Sequence, residues 1–240
     1  MRTVDVAGTE VRSLDPAQDP PWPAVVVLHE ASGLNRDIAR IATHLAGLGY
    51  AVAAPDLYSG GLRPVCIART VREAFVAPSR TATTDRIEQV RGWLAGRAEV
   101  DEDRIGVIGF CMGGGFAVVA AARSPFAAAA VNYGRVPQDT SLLAGSCPVI
   151  ANYGEQDRWI PKGTPERYAA ALREQGVPID VEIFPGVGHS FMNHEPRVMG
   201  AVGIRFDGPT AERAWARIER FLAEHLGGTH GSDAADTDTA

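Results

Sequence analysis

Short, continuously apolar runs alternate with helical patterns along most of this chain. Three of the runs, 24–28 (AVVVL), 51–54 (AVAA) and 105–109 (IGVIG), have the length of a strand and the composition of parallel strands buried on both faces. Between the first two, apolar residues recur at helical spacing from Ile38 to Leu48. This alternation predicts an α/β fold with a mostly parallel central sheet and helices on both faces.

The ends of the chain and one internal stretch differ from this pattern. Residues 3–6 and 9–14 alternate apolar and polar side chains and predict an N-terminal hairpin. We predict a single domain over residues 1–226 and a disordered tail over residues 227–240, which has too little apolar surface to bury. The stretch 58–80 shows no clear period and is long for a connection, so we expect it to form a pocket wall or a lid.

Composition excludes several classes of protein. The chain has 240 residues, with 23 Lys and Arg against 29 Asp and Glu, and no basic run that would bind nucleic acid. No apolar run is long enough to span a membrane, and the N-terminus lacks the apolar core of a signal peptide. Three widely spaced cysteines indicate reduced thiols rather than disulfides or a zinc site. We therefore expect a cytoplasmic protein with no nucleic-acid or membrane partner.

The strongest local motif is Gly109-Phe110-Cys111-Met112-Gly113, which follows a predicted strand and opens a predicted helix. It matches the G-x-S-x-G nucleophile elbow of α/β-hydrolases, with cysteine in place of serine. Glycines suit this strained turn because neighbouring side chains would collide, and the helix N-terminus favours a thiolate. Taken alone, the motif is equally compatible with a buried structural cysteine. A phosphate-binding loop would require a Lys-Ser/Thr ending that is missing here.

Two further residues complete a reactive set. Asp157 follows the predicted strand 148–152, and His189 follows the predicted strand 179–184. Nucleophile, acid and base thus occur in the chain order of α/β-hydrolases, each at the carboxyl end of a strand, where open α/β sheets bind ligands. A lone Asp or His in a loop is more often an ordinary surface or structural residue. Their joint occurrence predicts Cys111 as nucleophile, His189 as base and Asp157 as the residue that orients it.

The loop after the first parallel strand reads His29-Glu30-Ala31-Ser32-Gly33. In this fold, one backbone N–H from this loop and one from the residue after the nucleophile form the oxyanion hole, which nominates Ala31 and Met112. A carboxylate at Glu30 would oppose ionisation of a neighbouring thiol, because like charges disfavour each other. A solvated carboxylate or a helix cap is the alternative interpretation of Glu30.

Four motifs together resemble the dienelactone hydrolase family over residues 24–226: HExxG, GFCMGG, the acid in GEQD and the base in GxGHSF. The resemblance implies a hydrolase of carboxylic esters or lactones that works through Cys111, Asp157 and His189 with a thioester acyl-enzyme. It implies a small-molecule substrate and no metal or organic cofactor. It also implies that Glu30 holds the thiol in the resting enzyme until substrate displaces it.

The sequence departs from this family at the substrate carboxylate. Members that act on dienelactones bind it with arginines, one of them four residues after the catalytic histidine, where this chain has Asn193. A second arginine would come from the stretch 58–80, which offers Arg63, Arg69 and Arg72. We expect Asn193 and two aromatic residues that follow strands, Tyr133 and Trp159, at the substrate pocket, although both aromatics could equally be packing residues.

A competing interpretation is a non-hydrolytic protein in which Cys111 senses oxidants or the scaffold binds a ligand. A sensor needs an exposed thiol of low pKa, commonly beside a resolving cysteine. Cys66 and Cys147 lie far from Cys111 in the sequence, and a sensor has no need of Asp157 or His189. The hydrolase, as a monomer or small homo-oligomer, is therefore the favoured prediction.

Overall fold

The computed structural model describes residues 1–76, 81–194 and 203–227. One sheet of eight strands runs through it in the order β1-β2-β4-β3-β5-β6-β7-β8. The strands are β1 (Arg2–Val6), β2 (Thr9–Leu14), β3 (Trp22–Leu28), β4 (Ala51–Pro55), β5 (Val100–Phe110), β6 (Ala128–Asn132), β7 (Val149–Gly154) and β8 (Ile179–Phe184). From β4 to β8 the sheet is parallel, while β1 and β2 form an antiparallel hairpin that pairs antiparallel with β4.

Helices cover both faces of this sheet. They are α1 (Arg36–Gly47), α2 (Arg63–Val76), α3 (Ala82–Ala95), α4 (Met112–Arg123), α5 (Thr164–Glu174) and α6 (Gly208–Leu226). One buried apolar cluster lies between the sheet and α2, α3, α4 and α5, and a second lies between the sheet and α1 and α6. The predicted α/β-hydrolase class is confirmed, with a mostly parallel sheet between two helical layers. No helix of the described residues is both long and apolar enough to cross a bilayer.

The stretch 58–80 is not an irregular connection as far as it is described, because α2 occupies most of it. The helix buries a narrow strip, in which every fourth residue faces inward: Cys66, Thr70 and Ala74. Leu62 and Val65, just before and within its first turn, are 77% and 61% exposed, so the apolar residues of this stretch do not share one face. This explains why hydrophobic periodicity missed the helix. Residues 77–80 lie outside the described part, as does the predicted tail beyond Gly227.

The parallel register brings the carboxyl ends of five strands to one edge of the sheet. Leu28 of β3 pairs with Gly109 of β5, and Phe110 pairs with Asn132 of β6. On the same edge, Gly154 of β7 pairs with Phe184 of β8. The loops that follow these strands therefore converge, although they are widely separated in the sequence.

The first turn of α4 packs directly on backbone at this edge. A Cβ atom on Gly113 would lie 2.3 Å from the carbonyl oxygen of Leu28, and one on Gly109 would lie 2.1 Å from the carbonyl oxygen of Gly113. Both distances are far below van der Waals contact, and both neighbours are backbone atoms that have no alternative rotamer. Only glycine allows the helix to begin this close to β3 and β5.

We expect Gly113→Ala to lower the free energy of unfolding by at least about 3 kcal/mol, because the added methyl group forces the helix away from β3. For a chain of this size that corresponds to a Tm lower by roughly 6–12 °C in a thermal melt followed by circular dichroism. Gly92→Ala in α3 is the matched control, since a Cβ there meets no described atom within 4 Å. It should raise stability by about 0.5–1 kcal/mol through helix propensity. Equal melting temperatures for the two variants would contradict the packing constraint.

Candidate active site

Cys111 is the junction between β5 and α4. Its backbone has φ +52° and ψ −113°, in a region that non-glycine residues rarely occupy. Two hydrogen bonds fix this geometry, because the Cys111 amide donates to the Asn132 carbonyl at 3.0 Å and the Cys111 carbonyl accepts from the Gly115 amide at 3.1 Å. The side chain is half-buried and stands at the N-terminus of α4, where the helix dipole favours negative charge. The geometry is that of a nucleophile elbow.

His189 and Asp157 form a buried hydrogen-bonded pair. Nδ1 of His189 lies 2.7 Å from Oδ2 of Asp157, and both side chains are only 3% exposed. Oδ1 of Asp157 accepts from the amides of Trp159 at 2.8 Å and Ile160 at 3.2 Å, so the carboxylate is held by its own turn. Because a carboxylate can only accept, the Nδ1 proton is assigned to this bond and Nε2 carries the lone pair.

Cys111 and His189 line the same pocket, which encloses about 310 Å³ including open space at its mouth. Its walls are mostly apolar and are formed by Ala74, Cys111, Met112, Gly115, Tyr133, Arg135, Trp159, Ile160 and His189. Nε2 of His189 is buried and makes no hydrogen bond to any described residue, Cys111 included. The pocket therefore contains a thiol and an imidazole that are not yet bonded to each other.

Glu30 is a buried carboxylate at the same edge of the sheet as Cys111. Glu30 and Cys111 each stand two residues beyond the paired residues Leu28 and Gly109 of adjacent strands. Oε1 of Glu30 accepts from the Ser190 hydroxyl at 2.8 Å, and Ser190 directly follows His189. The side chain is 4% exposed, and the N-cap of α1 is a different residue. Both alternative interpretations of Glu30, a solvated carboxylate and a helix cap, are thus wrong.

The two predicted oxyanion donors belong to segments joined by Tyr58. Its hydroxyl donates to the Ala31 carbonyl at 2.9 Å and lies 3.6 Å from Sδ of Met112. The Met112 amide is in the first turn of α4, where no intrahelical acceptor exists. Tyr58 therefore contacts both residues that supply the nominated donors, Ala31 through its carbonyl and Met112 through its sulfur.

Tyr58 is itself fixed from several sides. Its amide donates to Oδ1 of Asp56 at 3.0 Å, its ring lies 5.0 Å from the His29 ring, and the Arg63 guanidinium lies 5.8 Å from its centroid. Burial, with a smaller contribution from neighbouring Cys111 and Asp56, raises the pKa of Tyr58 to about 12. The phenol therefore keeps its proton near neutral pH and remains a hydrogen-bond donor. Sequence reasoning missed this residue, because a tyrosine in a loop carries no distinctive motif.

Of the three predicted substrate-binding residues, two lie at the pocket. Tyr133 and Trp159 line it, and their rings lie 5.2 Å and 6.1 Å from the His189 ring. The third, Asn193, is 2% exposed, and its side chain bonds to Tyr133 and Asp37 instead of lining the described pocket. An amide whose oxygen and nitrogen are both engaged by buried protein groups is directed away from substrate.

None of the three arginines proposed to bind a substrate carboxylate, Arg63, Arg69 and Arg72, lines the described pocket. Arg63 donates to Oδ2 of Asp56 at 2.8 Å, and neither Arg69 nor Arg72 belongs to the lining residues of the described pocket. Arg135, which sequence reasoning missed, does line it. Arg135 follows β6 by three residues. The expectation that ligand-binding residues follow the carboxyl ends of parallel strands could therefore also have identified it.

Comparisons with known proteins point to one family. The model of the Dienelactone hydrolase family matches residues 10–226. A "Putative carboxymethylenebutenolidase" of Salmonella typhimurium is 31% identical over 227 residues, covering 88% of this chain and 80% of the relative. A protein of the same description from Methylorubrum extorquens is 28% identical over 225 residues, covering 88% and 75%. The crystal structure of a dienelactone hydrolase-like promiscuous phosphotriesterase from metagenomic libraries superimposes with a TM-score of 0.79 at 25% identity, covering 94% and 98%.

We expect Tyr58→Phe to lower kcat for ester turnover roughly tenfold, because the Ala31 carbonyl loses its hydrogen bond and the loop that carries the Ala31 amide is held less firmly. The matched control is Tyr168→Phe in α5, whose buried hydroxyl bonds to nothing in the described ranges. Steady-state kinetics should show an unchanged kcat for the control. A Tyr58→Phe protein with the kcat of the wild type would show that Tyr58 has no influence on the oxyanion donors.

Proposed function

The chain belongs to the dienelactone hydrolase family, and from this we propose that it hydrolyses carboxylic esters or lactones with Cys111 as nucleophile, His189 as base and Asp157 orienting His189. One observation carries the proposal: the strained elbow cysteine shares a pocket with a histidine whose Nδ1 is held 2.7 Å from a buried carboxylate. The mostly apolar pocket suits a small organic substrate. The description of the relatives as carboxymethylenebutenolidases supports an ester or lactone bond.

Acylation begins when Nε2 of His189 accepts the Cys111 thiol proton. The sulfur then attacks the carbonyl carbon, and the amides of Ala31 and Met112 stabilise the oxyanion of the tetrahedral intermediate. Asp157 stabilises the imidazolium that has formed. Collapse of the intermediate breaks the bond to the alkoxide, which takes the proton from Nε2 and leaves as an alcohol. The product on the enzyme is a thioester.

Deacylation repeats these roles with water as nucleophile. Nε2 of His189 removes a proton from the water as its oxygen attacks the thioester carbonyl. The second tetrahedral intermediate occupies the same oxyanion donors and expels the Cys111 sulfur. The carboxylic acid leaves, and the proton on Nε2 returns to the sulfur. Thioesters and esters have better leaving groups than amides, so peptides are poorer substrates for this site.

The resting site requires a rearrangement before acylation. Nε2 of His189 forms no hydrogen bond to Cys111 or to another described group, so proton transfer cannot start from this arrangement. Glu30, buried beside the elbow, is the group that we propose holds the thiol until substrate arrives. A negative charge there protects the thiol because it opposes formation of a second anion nearby.

The oxidant-sensor alternative gains no support from the other two cysteines. Cys66 lies on the buried face of α2 and is 2% exposed. Burial raises the pKa of the Cys147 thiol to about 12. Neither residue has the accessible thiolate that a resolving cysteine needs.

Turnover of 4-nitrophenyl acetate and of a lactone such as dihydrocoumarin tests the proposal. Cys111→Ala should reduce kcat at least about 10³-fold while the far-ultraviolet circular dichroism spectrum is unchanged, because the residue is the nucleophile and not core. Cys147→Ala is the control and should retain wild-type activity. Iodoacetamide should modify Cys111 before Cys66 and Cys147 in peptide mapping. Equal turnover by Cys111→Ala and wild type would refute the assignment.

Glu30→Gln tests the proposed guard of the thiol, because it removes the charge and keeps the shape. Without substrate, iodoacetamide should alkylate Cys111 of this variant about tenfold faster at neutral pH, with the rate–pH curve displaced to lower pH. Glu99→Gln, a carboxylate far from the site at the start of β5, is the matched control and should match wild type. Superimposable rate–pH curves for Glu30→Gln and wild type would make Glu30 a purely structural carboxylate.

A further inference from the structure

We infer that Asn193 is a positioning residue: it anchors the loop that carries His189 to β6 and α1 through Tyr133 and Asp37. The inference rests on the proposed function, because what it positions is the base of that reaction. Asn193 is four residues after His189 in the same loop, so any shift at Asn193 is transmitted through a short segment to the imidazole.

The Asn193 side chain uses both ends of its amide. Its Oδ1 accepts from the Tyr133 hydroxyl, and its Nδ2 donates to Oδ2 of Asp37 at 2.8 Å. The neighbouring His194 amide also donates to Oδ2 of Asp37, at 3.3 Å. The side chains of Asn193, Tyr133 and Asp37 are buried, with 2%, 0% and 7% exposed. Loss of the amide would cost the buried Tyr133 phenol and the buried Asp37 carboxylate one hydrogen bond each, so this contact is worth more than a surface hydrogen bond.

Tyr133 transmits this anchor to the imidazole. Its ring meets the His189 ring edge-on with centroids 5.2 Å apart, and it meets the Phe191 ring of the same loop at 5.5 Å. The Tyr133 backbone has φ +41°, a strained value, and its amide donates to the Asn152 carbonyl at 2.7 Å. The ring is therefore fixed at the backbone end by the sheet and at the hydroxyl end by Asn193. The Tyr133 ring therefore limits movement of the His189 imidazole toward it.

Asp37 is a firm attachment point on the opposite side of Asn193. It lies in the first turn of α1, where the helix dipole favours a carboxylate, and is 7% exposed. Its Oδ1 accepts from Nε of Arg40 at 2.9 Å and lies 3.1 Å from Nδ1 of His194. The loop is thus tied to a helix as well as to the sheet.

The consequence should be greatest in deacylation. During acylation His189 takes the proton of a thiol, which is more acidic than water, and the leaving group of an activated ester needs little help from a proton. In deacylation, however, Nε2 of His189 must activate a water that no covalent bond holds in place. An imidazole displaced by even 1 Å can lose on the order of 10²-fold in rate. A loosened His189 loop should therefore let the thioester form and then hydrolyse slowly.

Two variants break the same bond in different ways. Asn193→Leu keeps the shape and removes the amide, whereas Tyr133→Phe keeps the ring packing and removes only the hydroxyl. With 4-nitrophenyl acetate we expect kcat to fall roughly 10–100-fold, KM to change less than about threefold, and a pre-steady-state burst of 4-nitrophenolate to appear. Since both variants remove one interaction, the double variant should be no slower than the slower single variant.

A control separates positioning from stability. Leu226→Ala removes a buried side chain that lies against Gly106, five residues before Cys111 in the chain. It should lower Tm at least as much as the other variants yet keep the wild-type kcat and show no burst at 25 °C. A wild-type kcat for Asn193→Leu and Tyr133→Phe, or the same kinetic change in Leu226→Ala, would overturn the inference. If Asn193→Leu does not fold, the kinetics of Tyr133→Phe alone test the inference.

A measurement without substrate distinguishes failure of this inference from failure of the proposed function. The proton on Nδ1 of His189, bonded to Asp157, should give a far-downfield NMR signal that disappears in His189→Ala. We expect it to persist in Leu226→Ala and to shift or broaden by exchange in Asn193→Leu and Tyr133→Phe. An unchanged signal in those two variants would overturn the inference. Absence of ester turnover by the wild type would instead overturn the proposed function.

Discussion

The contact between the first turn of α4 and the ends of β3 and β5 is the constraint from which the site follows. Backbone atoms of Gly113 and Leu28 approach so closely that no side chain fits between them. Because the helix must start there, Cys111 has to turn the chain within one residue, which accounts for its positive φ. The same contact brings the Ala31 loop and the start of α4 within reach of one phenol, that of Tyr58.

Polar groups around the site are held by other buried polar groups rather than by solvent. The Asp157 carboxylate is held by its own turn, and the Glu30 carboxylate accepts from Ser190. Buried polar groups are nearly always paired, because an unpaired one forfeits its hydration without compensation. Nε2 of His189 departs from this rule within the described residues. An unpaired lone pair that lines a pocket beside a thiol is consistent with an atom kept available for proton transfer.

One rule about strand ends was enough to predict which loops meet, whereas the orientation of individual side chains could not be predicted from the sequence. Asp157 and His189 could be nominated because each follows a strand, and parallel strands deliver their carboxyl ends to one edge. The α2 helix escaped detection because it buries a narrow strip and exposes Leu62 and Val65. Asn193 has the right position in the sequence for substrate contact, but its partner Asp37 is 156 residues away. No local pattern could show that the amide points inward.

Three residues of the loop after β8 have different parts in the proposed mechanism. His189 supplies the proposed base, Ser190 binds the Glu30 carboxylate, and Asn193 ties the loop to Asp37 and Tyr133. Ser190, which follows His189 and binds Glu30, has φ +55°, so the backbone at this point is already strained. Any movement that takes Glu30 away from the thiol must break or carry along its bond to Ser190, directly beside the imidazole. In the proposed mechanism, release of the thiol and approach of His189 are therefore mechanically coupled, and the inferred anchor at Asn193 limits that movement to the short segment between Ser190 and Asn193.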